Sequence, residues 1–162
     1  MKAYVNRCVV LSKVAESDLV KSLMSVKVET VEPRRSLKYA LQKMVKRNIG
    51  SIVVVEGENL VGIVTERDIS RYVAKRTNAL KMQVRNVMSS PLITIAHSAT
   101  NQEAMGVMLK EGIRQLPVVE KGKLVGIVSQ RDLLRWVIRI TYEPNIPSDF
   151  IEILKRQPFS KT

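Results

Sequence analysis

GIVTERD, residues 62–68, returns as GIVSQRD, residues 126–132, an offset of 64 (126 − 62). Five of the seven residues are identical, and Thr65 against Ser129 exchanges one hydroxyl for another. The offset holds outside the phrase without a gap. VKSLMS at 20–25 answers VRNVMS at 84–89, and LVGIV at 60–64 recurs at 124–128. Thr30 meets Thr94, Ala40 meets Ala104, Met44 meets Met108, Ile49 meets Ile113, and Arg71 and Val73 meet Arg135 and Val137. This is an internal duplication, and each copy has to be read as one supersecondary unit.

Both copies show the same pattern. A short extended piece comes first, at residues 28–31 and 92–95. A helix follows: Leu37, Ala40, Leu41, Met44, Val45 and Ile49 recur at helical spacing, answered by Ala104, Met105, Met108, Leu109 and Ile113. Thr100 with Glu103 makes a capping-box start for the second of these helices. Two β-branched runs then flank a polar turn, 52–55 with 60–64 and 116–119 with 124–128, and each pair reads as a hairpin. Pro117 donates no ladder hydrogen bond, which predicts an edge position or an irregular start for its strand. A second helix follows each phrase, through residues 69–73 and 133–138.

The unit is therefore β-α-β-β-α, occurring twice. A single copy leaves one face of its small sheet uncovered and is marginal alone. The expected fold is α+β, two β-α-β-β-α repeats packed about a pseudo-twofold axis into one module. The expected boundaries are an N-terminal extension at 1–19, repeats at 20–83 and 84–140, and a tail at 141–162. In the tail, Ser148 and Asp149 cap a short helix with Phe150, Ile151, Ile153 and Leu154 on its apolar side.

The composition is that of a globular chain of 162 residues, 45% hydrophobic. No apolar run approaches the roughly 18–20 residues of a spanning helix, and the N-terminal stretch, broken by Arg7 and Lys13, lacks a cleavage signal. The single cysteine, Cys8, excludes an internal disulfide, and a cytoplasmic location is expected with no membrane contact. Lys plus Arg minus Asp plus Glu is 27 − 15 = +12, a balance that favours an anionic partner.

With its V-x-x-[LV]-M-S lead-ins, duplicated unit and G-I-V-[TS]-x-R-D at the end of each hairpin, the stretch 20–140 resembles tandem CBS domains, the family named for cystathionine β-synthase. The resemblance implies a stand-alone CBS pair: a regulatory sensor that binds AMP, ADP or ATP in the clefts between its repeats and modulates a partner protein. S-adenosylmethionine and NAD are less favoured ligands. A homodimer of pairs is implied as well.

The phrase itself has two readings. T-E-R-D and S-Q-R-D both fit a capping box, the hydroxyl closing the helix start and the Asp reaching back. A helix start with a hydroxyl also receives phosphate, and a carboxylate one turn in accepts from the vicinal hydroxyls of a ribose. The two are compatible. By the resemblance, Asp68 and Asp132 hold the ribose while Thr65 and Ser129 lie near phosphate. The base lies against Thr30 and Val31 with Ile49 and Ser51, and against Thr94 and Ile95 with Arg114 and Gln115. Each cleft combines an Asp of one repeat with strand residues of the other. Arg114 stands opposite Gly50 and is the leading extra phosphate ligand; Arg67 and Arg131 either reach phosphate or point to water.

Other chemistry finds little support. His97, the only histidine, reads as a turn residue, Cys8 lacks a partner histidine, and no Walker loop, GxGxxG, HExxH or CxxC occurs. A non-enzyme is expected, with no catalytic cofactor and no metal. Two rival readings stand beside the nucleotide sensor. One is an RNA-binding protein using Arg34, Arg35, Lys38, Lys43, Lys46 and Arg47, which a 4% aromatic content and the absence of an RNP, KH or zinc-finger pattern disfavour. The other is a dimerisation module whose clefts stay empty.

Overall fold

The computed structural model describes residues 15–142. Cys8 and the expected tail helix lie outside the described residues. The first copy runs β1 (Thr30–Val31), α1 (Leu37–Arg47), β2 (Ser51–Glu56), β3 (Asn59–Thr65) and α2 (Glu66–Val73). The second runs β4 (Ile95–Ala96), α3 (Asn101–Glu111), β5 (Gln115–Glu120), β6 (Lys123–Ser129) and α4 (Gln130–Tyr142). The α+β fold of two β-α-β-β-α repeats is realised as two three-stranded sheets, ordered β1-β2-β3 and β4-β5-β6.

Local chemistry sets most element ends. Ser36 accepts from the Tyr39 N–H at the start of α1, and Thr100 with Glu103 forms the full capping box expected at α3. Both helices stop at a left-handed residue, Asn48 (φ 55°) and its equivalent Gly112 (φ 64°). Among the described residues no helix is long and apolar enough to cross a membrane.

Two expectations need correcting. β5 is the central strand of its sheet, so of the two positions expected for Pro117 the edge is excluded and the irregular start is what occurs. The cost falls on the parallel side. In the first copy Val53, the equivalent of Pro117, donates to Glu29 O at 3.2 Å and pairs with Thr30. Pro117 has no N–H to give, and the ladder of the second copy opens one pair later, with Ile95 against Val118. Thr94 is therefore outside the strand that holds Thr30 in the first copy. The second correction concerns the helical stripe. Val45 and its equivalent Leu109 are 71% and 70% exposed, while Leu37, Ala40 and Met44 are buried. Residue 45 lies roughly 80° around the helix from residue 37, at the margin of the apolar face.

The two cores interlock. Val84 and Val87, from the lead-in of the second copy, belong to the cluster of Leu37, Met44, Ile52, Val54 and Ile69. Val20, from the first lead-in, belongs to the cluster of Met108, Leu116, Val118, Val128 and Leu133. Each lead-in then hydrogen-bonds to the opposite hairpin. Ser25 exchanges two 2.9 Å bonds with Ile127, and Ser89 and Ile63 exchange bonds of 2.8 and 3.1 Å. Neither copy has a complete core without the other, which is the physical basis of the single module.

The copies differ at one internal ion cluster. Glu29 receives Lys43 Nζ at 2.7 Å and Arg47 Nε at 2.8 Å, and Lys43 also donates to Thr30 O at 2.8 Å. The equivalent positions hold Ile93, Val107 and Glu111, and Ile93 and Val107 pack on the apolar core instead.

Candidate functional site

Each phrase spans the end of a hairpin and the first turn of a helix. Thr65 and Ser129 are the N-caps of α2 and α4. The Asp68 N–H donates to Thr65 Oγ1 at 3.2 Å, while Thr65 N and Oγ1 donate to Asp68 Oδ2 at 3.0 and 2.6 Å. At α4 the Asp132 N–H donates to Ser129 Oγ at 3.3 Å, and Ser129 N and Oγ donate to Asp132 Oδ2 at 2.9 and 2.5 Å. The capping box is thus formed twice. Both boxes use only Oδ2, and neither Oδ1 takes part in a hydrogen bond among the described residues. Asp132 is 3% exposed, whereas Asp68 is half-buried.

The residues before each hairpin lie beside these helix starts. Ser51 pairs in register with Thr65, and Gln115 with Ser129. Glu66 N donates to Gly50 O at 3.0 Å, and Gln130 N donates to Arg114 O at 2.8 Å. The structure so gathers Ile49, Ser51, Thr65, Arg67 and Asp68 at α2, and Arg114, Gln115, Ser129, Arg131 and Asp132 at α4. The two groups meet across the pseudo-twofold. A Cβ placed on Gly50 would stand 3.7 Å from Glu66 Oε2 and 3.9 Å from Gln115 Nε2. Gln115 Oε1 is buried and meets no donor among the described residues.

Other expected residues are placed differently. Val31 and Ile95 are buried in the two cores, so only their backbones can face a ligand. Thr30 lines an open cleft of about 590 Å³ together with Val26, Val28, Val55 and residues 57–60 of its own copy and residues 121–124 of the other. That cleft lies at the hairpin turns; Ser129 is at the far end of β6, roughly 20 Å from Lys123. His97 occupies a turn after β4, with Nε2 3.4 Å from Glu120 Oε1. No group of three or more His, Cys, Asp and Glu suited to a metal occurs among the described residues.

Two determinants were not read from the sequence. The glycine of the phrase is required by the opposite lead-in: a Cβ on Gly62 would meet Ser89 O at 2.7 Å and Met88 Sδ at 2.8 Å. The repeat alignment held both ends of that contact without revealing that they touch. The second is Glu66, whose equivalent is the neutral Gln130. This difference inside the phrase was the available signal. At α2 the side chains of Arg67, Glu66 and Asp68 sum to +1 − 2 = −1; at α4 those of Arg114, Arg131 and Asp132 sum to +2 − 1 = +1. Arg67, Arg114 and Arg131 are exposed and meet no carboxylate among the described residues.

A model of the CBS domain matches residues 20–75 and again 84–139. A 17.7 kDa protein of the bps2 3′ region of Acidianus ambivalens is 34% identical over 123 residues, 75% of this chain and 74% of that one. The inosine-5′-monophosphate dehydrogenase of Korarchaeum cryptofilum is 36% identical over 122 residues, 75% of this chain but 24% of the enzyme. Among solved structures, the CBS domain pair of protein MJ0100 in complex with 5′-methylthioadenosine and S-adenosyl-L-methionine superposes with a TM-score of 0.70 at 28% identity, covering 76% of this chain and 98% of that one.

Proposed function

This chain belongs to the CBS-domain family, with two of the family's domains in tandem, and on that premise we propose that it is a regulatory module binding an adenine nucleotide between its copies and signalling to a partner protein. It performs no covalent chemistry in this reading. The observation that carries the reading is the set of groups at the start of α4. Asp132 engages Oδ2 in its cap and, among the described residues, leaves Oδ1 to accept from ribose hydroxyls; Ser129 and the helix start would face phosphate, and Arg114 and Arg131 supply the positive charge. Gln115 Oε1 offers an acceptor for the amino group of the base.

The same logic separates the two ends. Glu66 repels phosphate at α2, where Gly50 supplies no cation. That end suits an adenosine-containing ligand without phosphate, the chemistry seen in the MJ0100 complex. AMP, ADP or ATP belongs to the α4 end, and Arg114 serves that end.

Calorimetry of the full chain against AMP, ADP, ATP, S-adenosylmethionine and 5′-methylthioadenosine tests the assignment. A phosphorylated nucleotide should bind at one site and lose at least tenfold in affinity in Arg114→Gln. Absence of heat with all five at millimolar concentration would sink the proposal.

We also propose that pairs assemble as homodimers. Val45 and Leu109, related by the internal repeat, are exposed, and so are Leu134 and Ile140 of α4, 58% and 51%; large apolar side chains left open to water on three helices favour burial against a second copy. Light scattering at micromolar concentration should give twice the chain mass; the mass of one chain contradicts it.

A further inference from the structure

The duplication supplies its own control for the basic surface. Ser36 bridges Gln83, and Leu37 N to Met82 O (2.9 Å), Val84 N to Arg35 O (2.8 Å) and Arg85 N to Pro33 O (3.0 Å) hold residues 33–38 against 82–85. The equivalent bridge in the other half joins Leu19 and Thr100. Along the first bridge stand Arg34, Arg35, Lys38, Lys81 and Arg85, all exposed. Their equivalents are Ser98, Ala99, Gln102, Ser17 and Lys21, and Lys21 is held by Glu16 at 2.6 Å. The same backbone forms without the charges, so the fold does not require them.

Nor does the protein neutralise them. Arg35 has Glu32 at 3.6 Å, but Arg34, Lys38, Lys81 and Arg85 meet no carboxylate among the described residues. Lys43 and Arg47, farther along α1, are closed on Glu29 and drop out of the basic face. A cavity of about 400 Å³ opens within the cluster, lined by Ser36, Lys38, Thr77, Asn78, Leu80 and Lys81. Beside Lys38, Tyr39 is 44% exposed, with the Arg35 guanidinium 5.2 Å from its ring centroid. Clustered cations, four of them without a carboxylate partner among the described residues, favour a polyanion, and an exposed ring stacked with arginine is a platform for an unpaired base.

We propose that this edge of the first copy docks single-stranded nucleic acid, with phosphates on Arg34, Lys38, Lys81 and Arg85 and a base on the Tyr39–Arg35 platform. An acidic peptide would engage the charges but leave the ring unused, and a duplex keeps its bases stacked away from it.

Fluorescence anisotropy of the full chain with a labelled oligouridine of about 20 nucleotides tests this. Binding should weaken steeply between about 50 and 200 mM salt. Arg34→Gln/Lys81→Gln/Arg85→Gln should weaken it at least about tenfold and lower the salt slope by about 2, near 0.7 for each phosphate that no longer meets a cation. A charge-matched control, Lys110→Gln/Lys121→Gln/Lys123→Gln, should change it less than about twofold, and Tyr39→Ala should cost about fivefold or more. All these residues are exposed, and the single variants Arg34→Gln and Arg85→Gln repeat the comparison with less disturbance. Equal losses in the two triple variants, no binding at low salt, or displacement by oligoglutamate of matched charge as effective as by oligouridine would each overturn the proposal.

Discussion

Met24 lies directly over Gly126: a Cβ on residue 126 would stand 2.5 Å from Met24 Sδ and 3.0 Å from Ser25 O. The repeated phrase and the repeated lead-in are therefore two sides of one contact, made twice. Each copy places its Met-Ser on the glycine of the other, and a side chain there would force the copies apart.

This gives an ordered pair of expectations. At Gly126 the nearest obstacle is the flexible end of Met24; at Gly62 it is the backbone oxygen of Ser89, at 2.7 Å. Gly126→Ala should destabilise by about 1–3 kcal/mol and Gly62→Ala by more, measured by urea denaturation. Met24→Ala in the Gly126→Ala background should recover part of the loss. Equal costs at both glycines would mean that the lead-ins do not bind as described.

Asp132→Asn separates the cap from the ribose ligand. The amide oxygen still accepts from the Ser129 N–H, so the melting temperature without ligand should hardly move, a fraction of the ~1 kcal/mol of a deleted cap. Nucleotide affinity should fall more than tenfold, since a charged acceptor contributes roughly 1.5–3 kcal/mol. Unchanged calorimetric affinity beside a lowered melting temperature would leave the phrase with capping alone.

Glu66→Gln makes the first phrase resemble the second. If Glu66 keeps phosphate from α2, its removal should strengthen binding of AMP at a second site several-fold, with α4 unaffected. Stoichiometry and affinity from one titration report both. No change at any concentration would assign the selectivity elsewhere.

Glu29 adds a pH dependence. The hydrogen bond from Lys43 foremost, with charge and hydrogen bonding from Arg47 as well, holds its carboxyl below the ordinary 4.5. A depressed folded value means that its stabilisation is complete above the ordinary range and is lost as pH falls through the lowered one. Glu29→Gln should cost about 1 kcal/mol at neutral pH, with the gap to wild type narrowing below pH 4.5. Melting curves from pH 3 to 7 whose gap stays constant would contradict the pairing.

Lys121 and Gly122 form the second hairpin turn with φ of 49° and 78°. Two left-handed residues in a two-residue turn are the pattern that favours Asn-Gly. Lys121→Asn should raise stability by roughly 0.5 kcal/mol, read as a small increase in melting temperature.

The unit, its duplication, both hairpins and the caps at Thr65, Thr100 and Ser129 were legible along the chain. Each depends on residues a few positions apart, where periodicity and hydrogen-bonding side chains act locally. Pro117 shows the limit of such reasoning. Its missing N–H was evident, but that the bond would be lost on the parallel side of a central strand depended on which neighbour β5 acquired. The basic face shows it again. Lys43 and Arg47 looked equivalent to Arg34 and Lys38 until β1 brought Glu29 against the helix, while residues 82–85 carried Arg85 to the other group and Lys81 followed. At the candidate site, the sequence by itself determined which groups stand at each helix start. Only the tertiary structure decided that Met24 covers Gly126 rather than Gly62. An apolar lead-in specifies that it must be buried, but with two nearly identical hairpins to choose from, the path of the chain between them selects its partner.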